Sequence, residues 1–342
     1  MTHSGSTAKT RIRFIDTARG IAIICIILGH LGSASINRVV YTFHIPLFFL
    51  ITGYFISTKA SFSRFAKKKF RSLILPYLLT SAVIVLLAAV KGLLTDGNLT
   101  APLKAWTFAA LYGSGNNYQG LIQIKGIGAI WFLWASFIAV LIMRLLLKAD
   151  YRIRILGVIT AFNLGYLTSL YCWMPFSLQP ALCSVIFIYL GYAYRGMEST
   201  LKKLNRELIA VLLILALLIW VTFITGFRSF WIVDCDFGRG IIDMIGCICA
   251  CAVVFAVSYF TDRFISPVSA VLSFLGENSL FILCVHTVEQ NLMPWSSILN
   301  LILPGAASLP RLLVLIALKL TLDTGLGCLL SRIPVVRKAF GV

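Results

Sequence analysis

The sequence predicts an all-α, polytopic integral membrane protein of about ten transmembrane helices, with both termini cytoplasmic. Three observations carry that prediction. Of 342 residues, 59% are apolar and only 12% charged, with a mean hydropathy of +0.93, whereas a soluble core of this length is filled by about half the residues. Windows of about 19 residues find ten apolar runs, and Lys and Arg gather in alternate connections between them. The alternating runs of about ten residues that an outer-membrane barrel needs are absent, and soluble enzymes and disordered chains are excluded by the same composition.

The runs fall at roughly 14–31, 39–57, 72–90, 127–147, 155–171, 176–194, 208–226, 240–260, 270–290 and 310–331. They form one membrane domain, 14–331, between a cytoplasmic tail 1–13 and a second, 332–342. Polar Gly32-Ser33 and another span follow the first run without a small-residue cleavage pattern, so the first helix is expected to stay. The longest non-apolar stretch, Gly92 to Gly126, contains Tyr112-Gly-Ser-Gly-Asn-Asn-Tyr-Gln119 and lies outside. A connection this long either covers a site or is a disordered surface loop.

The net charge of +18 would suggest nucleic acid in a soluble chain, but topology explains it here. With the N-terminus inside, 21 of the 30 cations lie in inner segments, seven in outer ones, and Arg19 and Lys319 within spans. Positive loops resist translocation, so the bias sets the orientation, and the expected partner is the lipid bilayer of the cell (plasma or inner) membrane rather than nucleic acid. The nine cysteines show no metal or redox spacing, and no metal is expected. Cys172 and Cys235 alone fall in short outer connections, where a disulfide between them is an open possibility.

Ionisable groups inside spans cost roughly 2.5–3.5 kcal/mol each on insertion scales, so those present usually face a cavity or a partner. Asp16 and Arg19 are three apart on one helical face and can pair. Arg19 and His30 are eleven apart, three turns, and project from one stripe about 16 Å apart along the axis. His44, just before Pro46 at the start of the second span, is expected at the depth of His30, and His286 in the ninth span at the same level. A lone membrane histidine is also a common interhelical hydrogen-bonding residue; the stripe with Arg19 and the second histidine favour chemistry. Lys319 and Asp323, four apart, read as a self-neutralising pair, and Asp243 as a solvated residue at a helix end. The run Lys67-Lys68-Lys69-Phe-Arg71 is either a topogenic patch or a grip for nucleotide phosphates.

These residues carry a resemblance. Asp16-x-x-Arg19-Gly20, the Arg19-x10-His30 spacing, Phe43-His44-x-Pro46 with Gly53-Tyr54-Phe55, Lys68-x-x-Arg71 leading into Leu75-Pro76-Tyr77, Ile130-Trp131-Phe132-Leu133, and Leu275-Gly-Glu277-Asn278-Ser279 followed by Leu283-x-x-His286 stand in one order along the chain. The chain resembles membrane acyltransferase family 3, and within it the fucose 4-O-acetylase-like proteins. Lys68 stands where some relatives have arginine. The resemblance implies about ten helices and transfer of an acyl group, usually acetyl from cytosolic acetyl-CoA, to a hydroxyl of a surface glycan or lipid-linked sugar at the outer side. It implies that His30 is catalytic and that Arg19 acts alongside it.

On this reading the catalytic set is His30, Arg19, Asp16 and His44. Arg19, Lys68 and Arg71 hold the acetyl-CoA phosphates, because a guanidinium offers a fixed fork of donors. His44, Trp131, Glu277, Asn278 and His286 face the saccharide acceptor. Tyr41 and Trp131 can stack on a sugar or simply anchor at the interface. His30 acts either as general base on the acceptor hydroxyl or as a nucleophile that carries the acetyl group. A transporter or flippase would use the same Arg and His as a substrate or proton path, but would show an internal repeat, and none is visible. A silent sensor or scaffold with the same fold is a third alternative.

Overall fold

The structure, a computed structural model, describes residues 12–120, 122–201 and 203–341. His3, Lys9 and Arg11 of the predicted tail and Lys202 of an inner connection lie outside the described residues. The bundle end where the first helix starts is termed inner and the opposite end outer, following the charge bias.

Helix α1 (Arg13–Gly29) runs outward. The chain returns through α2 (Ala34–Val40) and α3 (His44–Tyr54), a span broken at residues 41–43. There the Thr42 hydroxyl donates to the Val39 carbonyl at 2.6 Å and accepts the Trp220 indole N–H at 2.9 Å. The basic helix α4 (Phe62–Lys69) passes through a π-helical turn, Phe70–Ile74, into α5 (Leu75–Asp96). Gly97, at φ 64°, ends α5; α6 (Thr100–Tyr112) packs against it and is ended in turn by Gly113 at φ 72°. A two-residue hairpin, β1 (Tyr118–Gln119) against β2 (Gln123–Ile124), precedes α7 (Trp131–Leu146).

Helix α8 (Tyr151–Ser169) starts at Asp150, whose carboxylate accepts the Arg152 and Ile153 N–H groups, and α10 (Arg206–Thr225) starts at Asn205, which accepts from Leu208; α9 (Leu178–Leu201) lies between them. These caps satisfy amides that a helix start otherwise leaves without partners. The remainder comprises α11 (Ile241–Phe264), α12 (Ser266–Glu277), α13 (Ser279–Leu292), α14 (Trp295–Ile302), α15 (Ser308–Leu330) and α16 (Pro334–Ala339). Among the described residues, six helical segments are long and apolar enough to cross a membrane: Ala34–Tyr54, Phe62–Asp96, Pro175–Leu201, α10, α11 and α15. The α12–α13 pair, bent by 68°, makes a seventh. The other three predicted spans hold α1, α7 and α8, of 17, 16 and 19 residues.

Lipid gives helices no hydrophobic reason to associate, so contact depends on close backbone approach at small residues. Two seams are built that way. A Cβ on Gly20 of α1 would strike the Leu272 carbonyl of α12, and one on Gly276 would strike the Asp16 carbonyl. Gly53 of α3 and Gly191 of α9 stand in the same relation to Ile188 and Leu50. At the bend, the Asn278 side chain donates to the Phe274 carbonyl at 2.8 Å, closing α12 while α13 begins.

Three sequence expectations are corrected here, and one open possibility is decided. The stretch 92–126 is structured by α6 and the hairpin rather than being a bare loop. Asp243 is fully buried, not solvated, because Arg239 folds over it, with Nη2–Oδ1 at 2.6 Å and the backbone N–H donating to Oδ2 at 2.7 Å. Lys319 and Asp323 do not neutralise each other: each turns to a partner on α13. Cys172 and Cys235 are both free thiols, one exposed and the other buried against Cys183.

Candidate active site

His30 stands where α1 ends. Its Nδ1 lies 2.8 Å from the Ile26 carbonyl one turn back. The Gly20–Gly276 seam fixes α12 against α1, and α13, continuing past the bend, carries His286 to the same depth. His286 Nε2 is 3.2 Å from His30 Nδ1, and the ring centroids are 5.0 Å apart. Behind His286, α15 packs closely on α13 at Gly327, where a Cβ would press on Ile282. That approach brings Asp323 Oδ2 to 2.8 Å from His286 Nδ1. Glu289, one turn along α13, has Oε2 3.2 Å from the same nitrogen and Oε1 2.9 Å from Lys319 Nζ. The Trp295 indole N–H also donates to Glu289. His286, Glu289, Lys319 and Asp323 are all buried.

The partners determine where the ring protons sit. Carboxylates only accept, so His286 Nδ1 carries a hydrogen, and in the neutral ring Nε2 is a lone pair. The Ile26 carbonyl also only accepts, so His30 Nδ1 carries a hydrogen, shared between Ile26 and the His286 Nε2 lone pair. The remaining nitrogen, His30 Nε2, is left with its lone pair. Asp323, His286 and His30 thus form a directed chain of hydrogen bonds that ends on an available lone pair.

His30 lines a cavity of about 250 Å³ at the outer end. Its wall includes Tyr41, His44, Trp131, Asn116, Trp231, Asp234 and Gln290. His44 Nδ1 is held by the Val40 carbonyl at 2.5 Å, and its ring meets Tyr41 edge-on at 5.0 Å. Gly115, Asn116 and Gly128 reach this wall from the segment between α6 and α7, so that segment forms part of the cavity wall.

The sequence-predicted residues divide between the two ends. His30, His44 and Trp131 line the outer cavity, and His286 supports His30 from behind. Asp16 and Arg19 pair at 3.2 Å toward the inner end; the Arg19 side chain is 33% exposed, with its guanidinium 5.9 Å from the Phe55 ring centroid. Lys68 and Arg71 are exposed on the α4–α5 segment, one on each side of the start of the π-helical turn, and this segment packs on α7. Such turns are frequent at functional sites. Glu277 and Asn278 sit at the α12–α13 bend beside Asp16, at the level of Arg19 rather than of the cavity. Ring nitrogen and carboxylate oxygens of His286, Glu289 and Asp323 lie within 4.8 Å of one another, a set able to hold a cation. The Lys319 ammonium already supplies positive charge to it.

Sequence reasoning passed over Glu289, Lys319 and Asp323 as site residues, and Asn116, Trp231, Asp234 and Gln290 with them. For Glu289 a signal existed: a carboxylate three residues after His286 shares its helical face. The outer-loop residues belong to no spacing pattern.

A buried carboxylate–imidazole–imidazole chain leads to a cavity of mixed polar and apolar lining inside a helical membrane bundle, an arrangement with the hydrogen bonding that proton transfer needs. The chain belongs to acyltransferase family 3, matching the family's acyltransferase domain over residues 12–322. That match contains the whole relay except Asp323, the next residue. The chain is also similar to nodulation protein NolL of Mesorhizobium japonicum, at 29% identity over 146 residues, covering 38% of this chain and 35% of that one. Its similarity to nodulation protein NolL of Sinorhizobium fredii is 30% over 155 residues, covering 40% and 37%. The chain thus spans little more than a third of the length of these relatives. No solved structure matches.

Proposed function

We propose that this protein is an O-acyltransferase of the cell (plasma or inner) membrane that moves an acetyl group from cytosolic acetyl-CoA to a hydroxyl of an envelope or exported saccharide. The observation that carries the proposal is the Asp323–His286–His30 chain, which leaves one lone pair on His30, a residue that lines an outer cavity within a member of an acyltransferase family. Arg19 lies three turns inward on the same stripe, about 16 Å along the axis. That distance suits a donor with an anionic head and a long thin arm.

In this reading His30 Nε2 takes the proton of the acceptor hydroxyl as its oxygen attacks the thioester carbonyl. The C–S bond then breaks, and the departing thiolate takes the proton back from the imidazolium. General base catalysis of this kind is worth about 10²–10⁴-fold. The Glu289 and Asp323 carboxyl groups sit against His286 with the Lys319 ammonium beside Glu289. These groups are in place before the reaction, so they stabilise the charge that forms on the imidazoles with no reorganisation of solvent. Arg19, Lys68 and Arg71 are the cations proposed to hold the donor phosphates, Arg19 by a forked pair of N–H donors.

Calorimetry on purified protein in detergent tests the reading, comparing acetyl-CoA binding by wild type, Arg19→Ala and His30→Ala. The expected result is binding that Arg19→Ala weakens and His30→Ala retains, with transfer lost in the latter. Folded wild-type protein that binds neither acetyl-CoA nor longer acyl-CoAs would overturn it.

A further inference from the structure

We propose that the outer wall of the His30 cavity is a subsite for one uncharged pyranose ring, with Trp231 against a ring face and Asp234, Asn116 and Gln290 holding its hydroxyls. The assignment rests on the transferase reading above, and gives its acceptor a chemical class and a set of contacts.

Four observations point the same way. The cavity, about 250 Å³, is smaller than the roughly 300–1,000 Å³ of sites for drug-sized ligands, which limits it to one ring. Its wall joins an apolar aromatic surface to a few convergent polar groups, the composition that suits a molecule with C–H faces and a hydroxyl rim. Trp231 is 38% exposed although it lines the cavity, and it meets Tyr41 edge-on at 6.2 Å. Gln290 also lines the cavity, and its Oε1 has no hydrogen-bond partner among the described residues. A turn of this amide toward the cavity would give the acceptor the donor it lacks, and a sugar hydroxyl is one.

The polar rim is also built to hold its shape. Asn116 Nδ2 donates to Asp234 Oδ2 at 2.8 Å, joining the segment before α7 to the loop before α11 across 118 residues of sequence. That loop is pinned in turn by the reciprocal Trp231–Asp236 backbone bonds of 2.8 and 3.0 Å. One bond from Asn116 leaves most of the carboxylate's accepting capacity for hydroxyl groups. Asp234 is the one carboxylate of the described lining, which contains no Lys or Arg. The wall therefore repels uronic, sialic and phosphorylated sugars.

The experiment uses the full chain in detergent and a panel of methyl glycosides: neutral hexopyranosides, 6-deoxyhexopyranosides and a glucuronide. Binding is read by saturation-transfer NMR and titration, with acetyl-CoA calorimetry in parallel and thermal melting as the control for fold. A neutral glycoside should bind, and Trp231→Ala and Asp234→Ala should each weaken it by about tenfold or more. Trp231→Phe should retain part of the affinity, and the glucuronide should bind worst. Neutral glycosides that bind equally to wild type and both alanine variants, a preference for the glucuronide, or no glycoside binding while acetyl-CoA binds would each overturn the subsite. Variant-sensitive glycoside binding without recognition of any acyl-CoA would leave the sugar site standing and remove the transferase reading instead.

Discussion

Replacing Asp323 by asparagine tests the relay where its role is purely indirect. Asp323 Oδ2 lies 2.8 Å from His286 Nδ1, and His286 Nε2 lies 3.2 Å from His30 Nδ1. These two bonds and the width of the imidazole between them put the carboxylate about 8 Å from the ring that gains charge. At an effective dielectric constant of about 20, one charge at that distance is worth about 2 kcal/mol, or about 30-fold in rate. Asparagine also offers an N–H, which lets His286 turn its own N–H toward His30; loss of the correct tautomer in a triad reaches about 10⁴-fold. Glu289 Oε2, 3.2 Å from the same His286 nitrogen, can take over the bond, so the expected fall in kcat is nearer the lower figure. The assay is acetyl-CoA-dependent thiol release in proteoliposomes, with KM for acetyl-CoA unchanged and partial rescue by Asp323→Glu. Histidine ¹⁵N spectra give a readout independent of turnover, since they separate the two tautomers of His286. Wild-type kcat together with unchanged ¹⁵N shifts in Asp323→Asn would refute the relay.

Lys319→Met leaves Glu289 buried without its cation, at a cost of about 3–5 kcal/mol. Thermal melting should show a large loss that adding Glu289→Gln recovers in part. Gly276→Val forces a side chain into the Asp16 carbonyl and should destabilise by at least about 1–3 kcal/mol, with activity lost in parallel. Partial burial raises the pKa of Asp234 above the usual aspartate value; Asp236 adds to the shift and the Asn116 bond opposes it. Tyr41 also faces this carboxylate. Hydroxyl binding that needs the ionised form is complete above the raised pKa and is lost as pH falls through it, earlier than for an ordinary aspartate. Asp234→Asn should flatten the acid limb of a glycoside Kd–pH profile. An impermeant maleimide applied to intact cells should label Cys172 but not buried Cys235, with no change in mobility on reduction.

Composition and charge bias made the helical membrane class legible, because transfer of polar groups into lipid is costly enough to constrain every span. The Arg19–His30 stripe was legible for a related reason: helical geometry links residues within one element. Contacts between elements were not. Lys319 and Asp323 sit at a spacing that suggests a local pair, yet Glu289 and His286 outcompete that pairing once α15 docks on α13. Asp243 shows the same limit in milder form, since nothing in its spacing reveals that Arg239 will cover it. His286 was recognised as polar at the right depth, but its ring sits between Asp323 and His30 rather than in the cavity lining, because the sequence does not show which side of the ring faces Asp323. The residues 231–236 carry no periodicity and gain their meaning only when Asn116 meets them.

The backbone seam between α1 and α12 has a consequence in time. Thr17 of α1 and its partner Ser269 are 252 residues apart, so at about 5–20 residues per second of synthesis the first helix precedes its mate by roughly 13–50 s. During that interval a newborn α1 stands in lipid with an aspartate and an arginine and no α12 to cover them. The Asp16–Arg19 pair, formed within a single turn at 3.2 Å, needs no partner helix and offsets their charges while the helix waits. The charge balance of α1 is thus set within the helix itself, ahead of the packing that later covers it.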